Sequence, residues 1–415
     1  MSQTILDALA NVEKASQEQA AASQALTQEV GGKMAEIDNK VDEALQASVK
    51  SITAWSTKTI GDGGDYATLT EALNYYSTTS SKIYGAPGSM STTGVVLKLL
   101  SGYVMSEQVH VGNGLDLGFV RIESEDAVVY VDHTKLTKSM EGRFPLFGAS
   151  RGGVLPQINA LFEFNVGSPI GKDGLYVYGP GSSAYVYPGK GVKKAGGNGI
   201  YAVSGATVFA VGSNFSHAGE QGVYAAHGAL IIFEGGDASH AGAIGMYASR
   251  AATIQAYNAN VEHAGGDGVR SQESSNINAG GVNANNAGAT GCYAVYGSFI
   301  NFTGGMANDA GSYAIRGYVN CLIQAQSAEA KASVSGVHAY SSRMNVMSVD
   351  GTGGGLKAEM GSTVTAHESK WQKGSSPDST DIYISTGSIL SLTGTITGGM
   401  NVTANTLTSS GIIFR

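Results

Sequence analysis

A tandem repeat of 23 residues constrains the fold of this chain more than any other sequence feature. Tetrapeptides of the type Gly-Ile-Tyr-Ala begin at residues 199, 222, 245, 268 and 291. Tripeptides that end in Ala-Gly begin at residues 194, 217, 240, 263, 286 and 309. Two independent markers therefore keep one period, which is the signature of a repeat architecture.

Each repeat unit contains short strand-like segments and no helical pattern. The segments between the markers are Thr207–Ala210, Leu230–Phe233, Thr253–Ala256, Asn276–Ala279 and Phe299–Phe302. A unit of this size cannot bury a face alone, so successive units must stack, and the Leu-x-x-Leu-x-Leu frame of leucine-rich repeats is absent. We predict an all-β solenoid, a parallel β-helix with coils about 4.8 Å apart. Residues 95–370 would then form about twelve coils.

Stacking converts the period into columns of residues 23 positions apart. Two columns are apolar and are predicted to face inward. The first contains Ile200, Val223, Met246, Val269, Cys292 and Ile315, and the second contains Val208, Ile231, Ile254, Ile277, Ile300 and Ile323.

The first fifty residues differ from the rest, because they are rich in Ala, Gln, Glu and Lys. Apolar or small residues recur in steps of four and three from Ile5 to Val30, and from Met34 to Ala44 after an extra step of four at Gly31-Gly32. This heptad pattern predicts an α-helical coiled-coil stalk that bends or breaks at the two glycines. A single amphipathic helix that packs on its own domain would show a similar stripe.

A short helix is predicted just before the solenoid. Thr68 and Glu71 form a capping box, and Leu69, Ala72, Leu73 and Tyr76 form one apolar face. The segment Gly64-Asp65-Tyr66-Ala67-Thr68-Leu69-Thr70-Glu71-Ala72-Leu73, followed by strands and Ser101-Gly102-Tyr103, resembles the N-terminal cap of the pectate-lyase-like superfamily and of phage tailspikes. The resemblance covers residues 60–125 and implies a right-handed β-helix whose open end is plugged by the helix.

The C-terminal end also resembles that family. Beyond Lys370 the period is lost, and residues 381–390 and 400–415 alternate β-branched and polar residues as strands do. The ending Asn405-Thr406-Leu407-Thr408 and Gly411-Ile412-Ile413-Phe414 resembles the C-termini of tailspike-like phage proteins, which implies three chains side by side. We therefore divide the chain into a helical stalk for virion attachment (1–52), a lead-in segment with the capping helix (53–94), the β-helix (95–370) and a β-rich trimerisation or tip segment (371–415).

The composition argues against several classes of partner. The chain has 59 glycines, a formal charge of −8 and no long run of Lys or Arg, so we expect no nucleic-acid partner. No apolar run is long enough for a membrane span, and no signal peptide is recognisable at the N-terminus, so we expect no membrane insertion. The two cysteines, Cys292 and Cys321, suggest synthesis in a reducing cytoplasm and are expected to be buried apolar residues.

One outward column is the candidate carbohydrate-binding surface. It contains Tyr201, Tyr224, Tyr247, Arg270 and Tyr293, one residue per coil, and continues to Arg316. Amphipathic rings and guanidinium groups in a row are suited to contact sugar rings. A trimer interface or simple shielding of the sheet would use the same residues.

A column of histidines is the only arrangement that suggests a metal. His217, His240 and His263 lie in consecutive coils, between Lys194 on one side and Asn286 and Asp309 on the other. Three imidazoles are able to bind a metal ion, but residues that merely suit a turn would be repeated in the same way. Because the column changes to Lys, Asn and Asp, we predict neither a metal nor any other cofactor.

Glycoside hydrolysis would need two carboxylates that face one cleft. Asp237 and Glu262, with Glu234 nearby, are the weak catalytic candidates, although Asp237 also belongs to a polar column with Asn214, Asn260 and Asn283. Nothing matches the catalytic pattern of pectate lyases or polygalacturonases. The resemblance thus favours a homotrimeric receptor-binding tail fibre or tailspike of a phage virion, joined to a tail or baseplate protein by its N-terminal helix and bound to a bacterial surface glycan. A depolymerase that hydrolyses the polysaccharide and a purely structural fibre are the alternatives.

Overall fold

A computed structural model describes residues 3–48, 55–78, 94–165, 169, 171–331, 335–352, 355–372, 382–385, 387–393 and 411–414. Helix α1 spans Gln3–Ser48, helix α2 spans Leu69–Ser77, and a 3-10 turn spans His133–Lys135. Nearly all the rest of the described chain is built from short strands and tight turns.

The strands before the regular repeat are β1 (Trp55–Ile60), β2 (Gly94–Leu99), β3 (Val109–Val111), β4 (Val120–Ser124), β5 (Val129–Val131), β6 (Phe147–Ser150), β7 (Gln157–Asn159), β8 (Leu161–Phe164), β9 (Leu175–Tyr178), β10 (Ser183–Tyr185) and β11 (Gly191–Lys193). The regular coils contain β12 (Ile200–Val203), β13 (Thr207–Phe209), β14 (Val223–Ala226), β15 (Leu230–Ile232), β16 (Met246–Ser249), β17 (Thr253–Gln255), β18 (Val269–Gln272), β19 (Asn276–Asn278), β20 (Thr290–Val295), β21 (Phe299–Asn301), β22 (Tyr313–Tyr318) and β23 (Leu322–Gln324). The last strands are β24 (Ser335–Tyr340), β25 (Arg343–Asn345), β26 (Asp350–Thr352), β27 (Leu356–Glu359), β28 (Thr363–His367), β29 (Lys370–Gln372), β30 (Ile382–Ile384), β31 (Ser388–Thr393) and β32 (Gly411–Phe414).

Two long parallel sheets run along the solenoid. The twelve-stranded sheet has the order β3-β6-β9-β12-β14-β16-β18-β20-β22-β24-β27-β30, and the eleven-stranded sheet has the order β10-β13-β15-β17-β19-β21-β23-β25-β28-β31-β32. Through the regular coils the third side is reduced to single parallel bridges, a column that runs Gly191, Asn214, Asp237, Asn260, Asn283, Met306, Glu329 and Asp350. The predicted coil architecture is therefore confirmed, with about twelve turns.

The predicted inward columns form the core. Ile200 pairs with Val223, Val223 with Met246, and the register continues to Ile315 without a slip. The second column, from Val208 to Ile323, is equally regular. All twelve side chains are fully buried, and Cys292 is among them.

The marker glycines are explained by backbone contacts between coils. A Cβ atom on Gly242 would lie 2.3 Å from the carbonyl oxygen of Gly219, and one on Gly222 would lie 2.7 Å from that of Gly245. Side chains at these positions would push the coils apart and break the parallel ladder. Glycine is therefore required by close approach rather than by an unusual φ angle.

The histidine column marks a left-handed turn. The φ angles of Lys194, His217, His240, His263, Asn286 and Asp309 lie between 56° and 62°. Asn, Asp and His are the residue types, apart from Gly, that adopt this conformation most readily. The turn itself thus explains the polar residue of five of the six polar-Ala-Gly markers, all except Lys194.

Helix α2 begins as predicted. The Thr68 side chain accepts a hydrogen bond from the Glu71 amide at 3.2 Å, and the Glu71 carboxylate accepts one from the Ala67 amide at 3.1 Å. Glu107 accepts from the amides of Leu69 and Thr70 at 3.1 and 2.7 Å, which places a negative charge at the positive end of the helix dipole. Its apolar face is buried in the same continuous core as the first coils.

The stalk helix differs from expectation at the glycine pair. Helix α1 continues through Gly31 and Gly32 without interruption, so the predicted break does not occur. Each glycine costs the helix about 1 kcal/mol relative to Ala, which the long runs of helix-forming residues on both sides offset. The apolar residues of the heptad pattern are exposed in the single chain, for instance Leu9, Val12 and Ile37 at 61, 69 and 59%. The coiled coil itself stays a prediction.

The C-terminal strands extend the solenoid beyond residue 370. Strand β30 joins the twelve-stranded sheet, and β31 and β32 join the eleven-stranded sheet. Of the strands predicted here, the parts at residues 381, 386, 400–410 and 415 lie outside the described residues.

The buried column provides a test of the register. We expect Ile254→Asp to remove several kcal/mol from the free energy of unfolding, because an unpaired carboxylate would enter the fully buried column. The matched control is Gln255→Asp, which places the same carboxylate on the partly exposed outer side of β17. Chemical denaturation and the soluble yield of both variants measure the difference. Equal stability of the two variants would contradict the assigned register.

The left-handed turn provides a second test. We expect His240→Val to lower the free energy of unfolding by about 1–2 kcal/mol, because a β-branched residue is strained at positive φ. His240→Asn should remain close to the native protein, because Asn occupies the equivalent turn at residue 286. Thermal melts of the two variants provide the comparison, and a Val variant as stable as the Asn variant would contradict this explanation of the column.

Candidate functional site

A row of outward side chains on the twelve-stranded sheet forms the candidate site, which we call the outward ladder. The strand register aligns its ten members in consecutive coils: Tyr176, Tyr201, Tyr224, Tyr247, Arg270, Tyr293, Arg316, His338, Lys357 and Tyr383. The five predicted carbohydrate-binding residues are thus brought together. The row extends beyond the predicted column, which ended at Arg316, by Tyr176 at one end and by His338, Lys357 and Tyr383 at the other.

The tyrosines of the ladder stack on one another. The ring centroids of Tyr201 and Tyr224 are 4.6 Å apart with an interplanar angle of 1°, and those of Tyr224 and Tyr247 are 4.6 Å apart at 12°. Because each ring covers the face of its neighbour, the ladder presents ring edges and hydroxyl groups to solvent. The sequence suggested that sugars stack on open ring faces, but these faces are covered. Contact with a sugar is therefore restricted to the ring edges and the hydroxyl groups.

Arginines continue the stack where tyrosines stop. The Arg270 guanidinium carbon lies 5.7 Å from the centroid of Tyr247 and 5.3 Å from that of Tyr293. Arg316 lies 5.3 Å from the same Tyr293 ring on its other side. Guanidinium groups at these distances interact favourably with aromatic rings.

One end of the ladder is closed by the loop between β5 and β6. Met140 packs against buried Tyr176, Val203 and Ala226 in a small apolar cluster outside the main core. The Arg143 guanidinium lies 5.8 Å from the Tyr201 ring. Tyr201 and Tyr224 are both partly buried and pack against this cluster. We call the part of the ladder from Tyr224 onward, beyond the ring next to Arg143, its open part.

Arg143 holds two acidic side chains at this closed end. It donates two hydrogen bonds to Asp173, at 2.7 and 2.6 Å, and a further one to Glu220. Burial alone would lower the pKa of Arg143, but the hydrogen bonds and charges of Asp173 and Glu220 outweigh burial and raise that pKa. Asp173 is fully buried and also accepts from the Asn198 amide at 2.6 Å, so this cluster fixes the loop.

Sequence reasoning missed this cluster. Arg143 lies between β3 and β6, whose paired residues are 38 positions apart, and Asp173 lies between β6 and β9, whose paired residues are 28 positions apart. Both are outside the 23-residue period, so no column pointed to them. Tyr176 carried a usable signal, because Leu175-Tyr176-Val177 has the in-out-in pattern of the later strands. His338 and Lys357 follow shortened coils of 22 and 19 residues and carried no periodic signal.

An acidic residue lies beside the middle of the ladder. Asp267 is almost fully buried, forms an ion pair with Arg270 at 3.5 Å, and accepts a hydrogen bond from the Thr290 amide at 3.1 Å. Burial raises the pKa of the Asp267 carboxyl group, and the charge of Arg270 offsets part of that rise.

The catalytic candidates lie on a different side of the solenoid. Asp237 and Asn260 belong to the bridge column, and Glu262 lies just after it. The side-chain amide of Asn260 donates hydrogen bonds to the carboxylates of Asp237 and Glu262, at 3.5 and 3.4 Å. The Glu262 carboxylate also accepts one from the side-chain amide of Asn283 at 2.9 Å. The structure therefore brings Asp237 and Glu262 together, but both are hydrogen-bonded to asparagine side chains of the bridge column.

Glu234 does not join this pair. It lies two residues after β15, and within the described chain its side chain shares no hydrogen-bond partner with Asp237 or Glu262. A catalytic role for Asp237, Glu262 or Glu234 stays a hypothesis.

The histidine column is stacked as the repeat requires. The rings of His217 and His240 are 4.6 Å apart, and those of His240 and His263 are 4.9 Å apart. Burial lowers the pKa of His217, and the neighbouring His240 and the charges of Lys193 and Lys194 lower it further. Among the described residues, no three His, Cys, Asp or Glu side chains are grouped so that they could hold a metal ion. No helix of the described chain is long and apolar enough to cross a membrane.

Comparisons with known proteins bear on the fold. Residues 159–307 match the family model described as right handed beta helix region. The A-module of mannuronan C-5 epimerase AlgE6 from Azotobacter vinelandii is similar in structure, with a TM-score of 0.41 and 12% identity, over 77% of this chain and 89% of that one. The gp42 tailspike of Acinetobacter phage vb_AbaP_AS12 has a TM-score of 0.36 and 14% identity, over 78% of this chain and 56% of that one.

This chain thus spans little more than half of the tailspike chain. A search of curated protein sequences found no match. At such low identity neither structural likeness assigns a ligand or an activity. The family match lies within the coils whose register is described above, and the chain is accordingly a protein with a right-handed parallel β-helix.

Proposed function

We propose that this protein is a receptor-binding tail fibre or tailspike that attaches a bacteriophage to the surface polysaccharide or lipopolysaccharide of its host. The observation that carries the proposal is the outward ladder, a half-buried row of aromatic and cationic side chains that repeats once per coil. A linear polysaccharide also repeats along its length, so its successive sugar units match the successive coils of the ladder. The resemblance of the capping segment and of the C-terminal sequence to tailspikes supports the phage context.

The ladder offers hydrogen bonds at regular intervals. Tyrosine hydroxyl groups donate and accept, and coil spacing places successive hydroxyls about 4.8 Å apart. The Tyr224 hydroxyl already lies 3.2 Å from the Ser249 hydroxyl, so it is oriented before any ligand binds. A polymer that contacts several coils would gain affinity from the sum of weak contacts.

Binding without cleavage is favoured by the positions of the acids. A glycosidase needs two carboxylates about 5–10 Å apart across one cleft, with separated pKa values. Asp237 and Glu262 lie on the bridge side and bind amides, whereas Asp267 and Glu220 beside the ladder are paired with arginines. No described pair of free carboxylates flanks the ladder.

The depolymerase remains the rival function, and one observation favours it. The raised pKa of Asp267 is a property of general acids, and this residue lies next to the ladder. The tests below therefore measure retention and cleavage together.

The first test concerns the ladder. We expect purified protein to retard host polysaccharide in affinity electrophoresis while releasing few new reducing ends. Changing Tyr224 and Tyr247 together to Ala should weaken retention by removing two adjacent contacts. The double Phe variant keeps the stacked rings and removes only the hydroxyls, so it separates hydrogen bonding from packing. Tyr185→Ala with Tyr257→Ala is the control, because these exposed tyrosines lie on the side of the eleven-stranded sheet.

Two outcomes would contradict this assignment. Equal retention by the ladder variant and the control variant would remove the ladder from the binding surface. Rapid release of short oligosaccharides, abolished by Glu262→Gln or Asp267→Asn, would establish the enzyme instead.

The second test concerns the stalk, whose partner we propose to be a tail or baseplate protein. The helix α1 side chains that are described are exposed and contribute nothing to the solenoid core. We expect deletion of residues 1–50 to leave a folded β-helix that is no longer incorporated into phage particles. Circular dichroism reports the fold, and immunoblots of purified particles report incorporation. Normal incorporation of the truncated protein would defeat the proposed role of the stalk.

We further propose that three chains associate and that the C-terminal segment takes part in the assembly. The exposed apolar heptad positions of α1 support an oligomer, since a coiled coil would cover them. In this proposal the protein is made in the host cytoplasm and resides in the virion tail.

A further inference from the structure

Cations recur in the outward ladder at every second coil. Arg270, Arg316 and Lys357 are separated by one intervening coil each, occupied by Tyr293 and His338. At the spacing of parallel strands, successive cations lie about 9.6 Å apart. The open half of the ladder therefore has a periodic positive charge, although the whole chain has a formal charge of −8.

Two of these three cations are paired with carboxylates. Arg270 lies 3.5 Å from Asp267, and Lys357 lies 3.2 Å from Glu359. Glu359 also receives a hydrogen bond from His338 at 2.9 Å. The positive charge of both outer cations is thus largely compensated within the protein.

Arg316 is different. Within the described residues, no carboxylate lies within ion-pair distance of its guanidinium group. Its buried Nε atom makes no hydrogen bond, which is also true of Arg270. Three rings surround the group instead, with centroids 5.3, 4.7 and 5.5 Å from the guanidinium carbon: Tyr293, Tyr313 and Tyr318.

This environment prepares Arg316 for an anion. Aromatic rings hold the guanidinium plane in place without using its N–H donors. A planar fork of donors matches the two oxygen atoms of a carboxylate or of a phosphate. The side chain is only partly exposed, so an anion bound here would be screened by solvent less than at a fully exposed site.

We propose that Arg316 binds the anionic group of an acidic sugar, so that the polysaccharide recognised by the ladder carries a carboxylate or a phosphate. The inference rests on the proposed binding of a polysaccharide to the ladder and specifies its chemical class. A neutral sugar would leave Arg316 without a carboxylate at ion-pair distance and with only the more distant charge of Asp267 to compensate it, which gives the ladder a basis for discrimination.

Saturation-transfer NMR on the full-length protein tests the site with simple probes. The ligands are glucuronate, glucose 1-phosphate and glucose, which separate a carboxylate from a phosphate and both from a neutral sugar. We expect binding of at least one acidic sugar in preference to glucose. Arg316→Gln should weaken that binding about tenfold, the loss expected for one charge-assisted hydrogen-bonded pair.

Two further variants serve as controls for the Arg316→Gln substitution. Arg316→Lys keeps the charge but loses the planar fork, and should bind with intermediate affinity. Arg343→Gln removes an exposed arginine from the eleven-stranded sheet and should bind as the native protein does. Thermal melts establish that all three variants are folded.

The outcomes separate this inference from the function on which it rests. Equal binding of glucose and both acidic sugars, or no loss in Arg316→Gln, overturns the inference. Retention of polysaccharide that depends on Tyr224 and Tyr247 but not on Arg316 would defeat the inference and leave the proposed function intact. Arg316-dependent binding of acidic sugars without retention of polysaccharide would defeat the proposed function alone.

Discussion

The parallel hydrogen-bond register between coils is the constraint on which the rest of this structure depends. Along the inward column from Ile200 to Ile315, paired residues lie 23 positions apart, so a single choice of residue type is repeated along the axis. The glycines at 219, 242, 265, 288 and 311 keep the coils in contact, because a Cβ on each would lie about 2.2–2.3 Å from a carbonyl oxygen of the coil before it. Neither the core columns nor the outward ladder would exist without this close approach.

The same register explains two columns whose residue types suggested metal binding or catalysis. In the structure, these residue types are explained by the local backbone conformation. The histidines at 217, 240 and 263 occupy a left-handed turn position that Lys194, Asn286 and Asp309 also occupy. Asp237 occupies a bridge position shared with three asparagines. In the first column the left-handed conformation accounts for His, Asn and Asp. In the second column each of the four side chains accepts a hydrogen bond from the backbone amide two residues later, which accounts for Asn and Asp. The outward ladder has no such requirement, since its members are Tyr, Arg, His and Lys in ordinary strand conformation.

Sequence reasoning succeeded where the period is exact and failed where contacts join coils of different length. Ile254 and Ile277 could be placed in one buried column because their spacing alone fixes their register. Arg143 could not be placed, because it lies 30 residues from Asp173 and 77 from Glu220, in a loop without periodicity. The stacking of the tyrosine rings was equally inaccessible, since side-chain rotamers decide whether ring faces or ring edges meet solvent. At Gly31-Gly32 the helix-breaking tendency of glycine was overestimated relative to the propensity of the flanking residues.

Repetition also bears on the choice between binding and catalysis. A catalytic pair needs two carboxylates in unlike environments, whereas a regular column places similar environments one above another. The acids described near the ladder are instead compensated, Glu220 by Arg143, Asp267 by Arg270 and Glu359 by Lys357. In a row of equivalent contacts, the contact at any one coil is weak. A polymer that spans many coils makes many such contacts, so its affinity increases with the length of the polymer. The physical property that a regular β-helix supplies most readily is therefore the recognition of a repetitive chain. Coils of irregular length lie at both ends of the ladder, and the acids described there, Glu220 and Glu359, form ion pairs with Arg143 and Lys357.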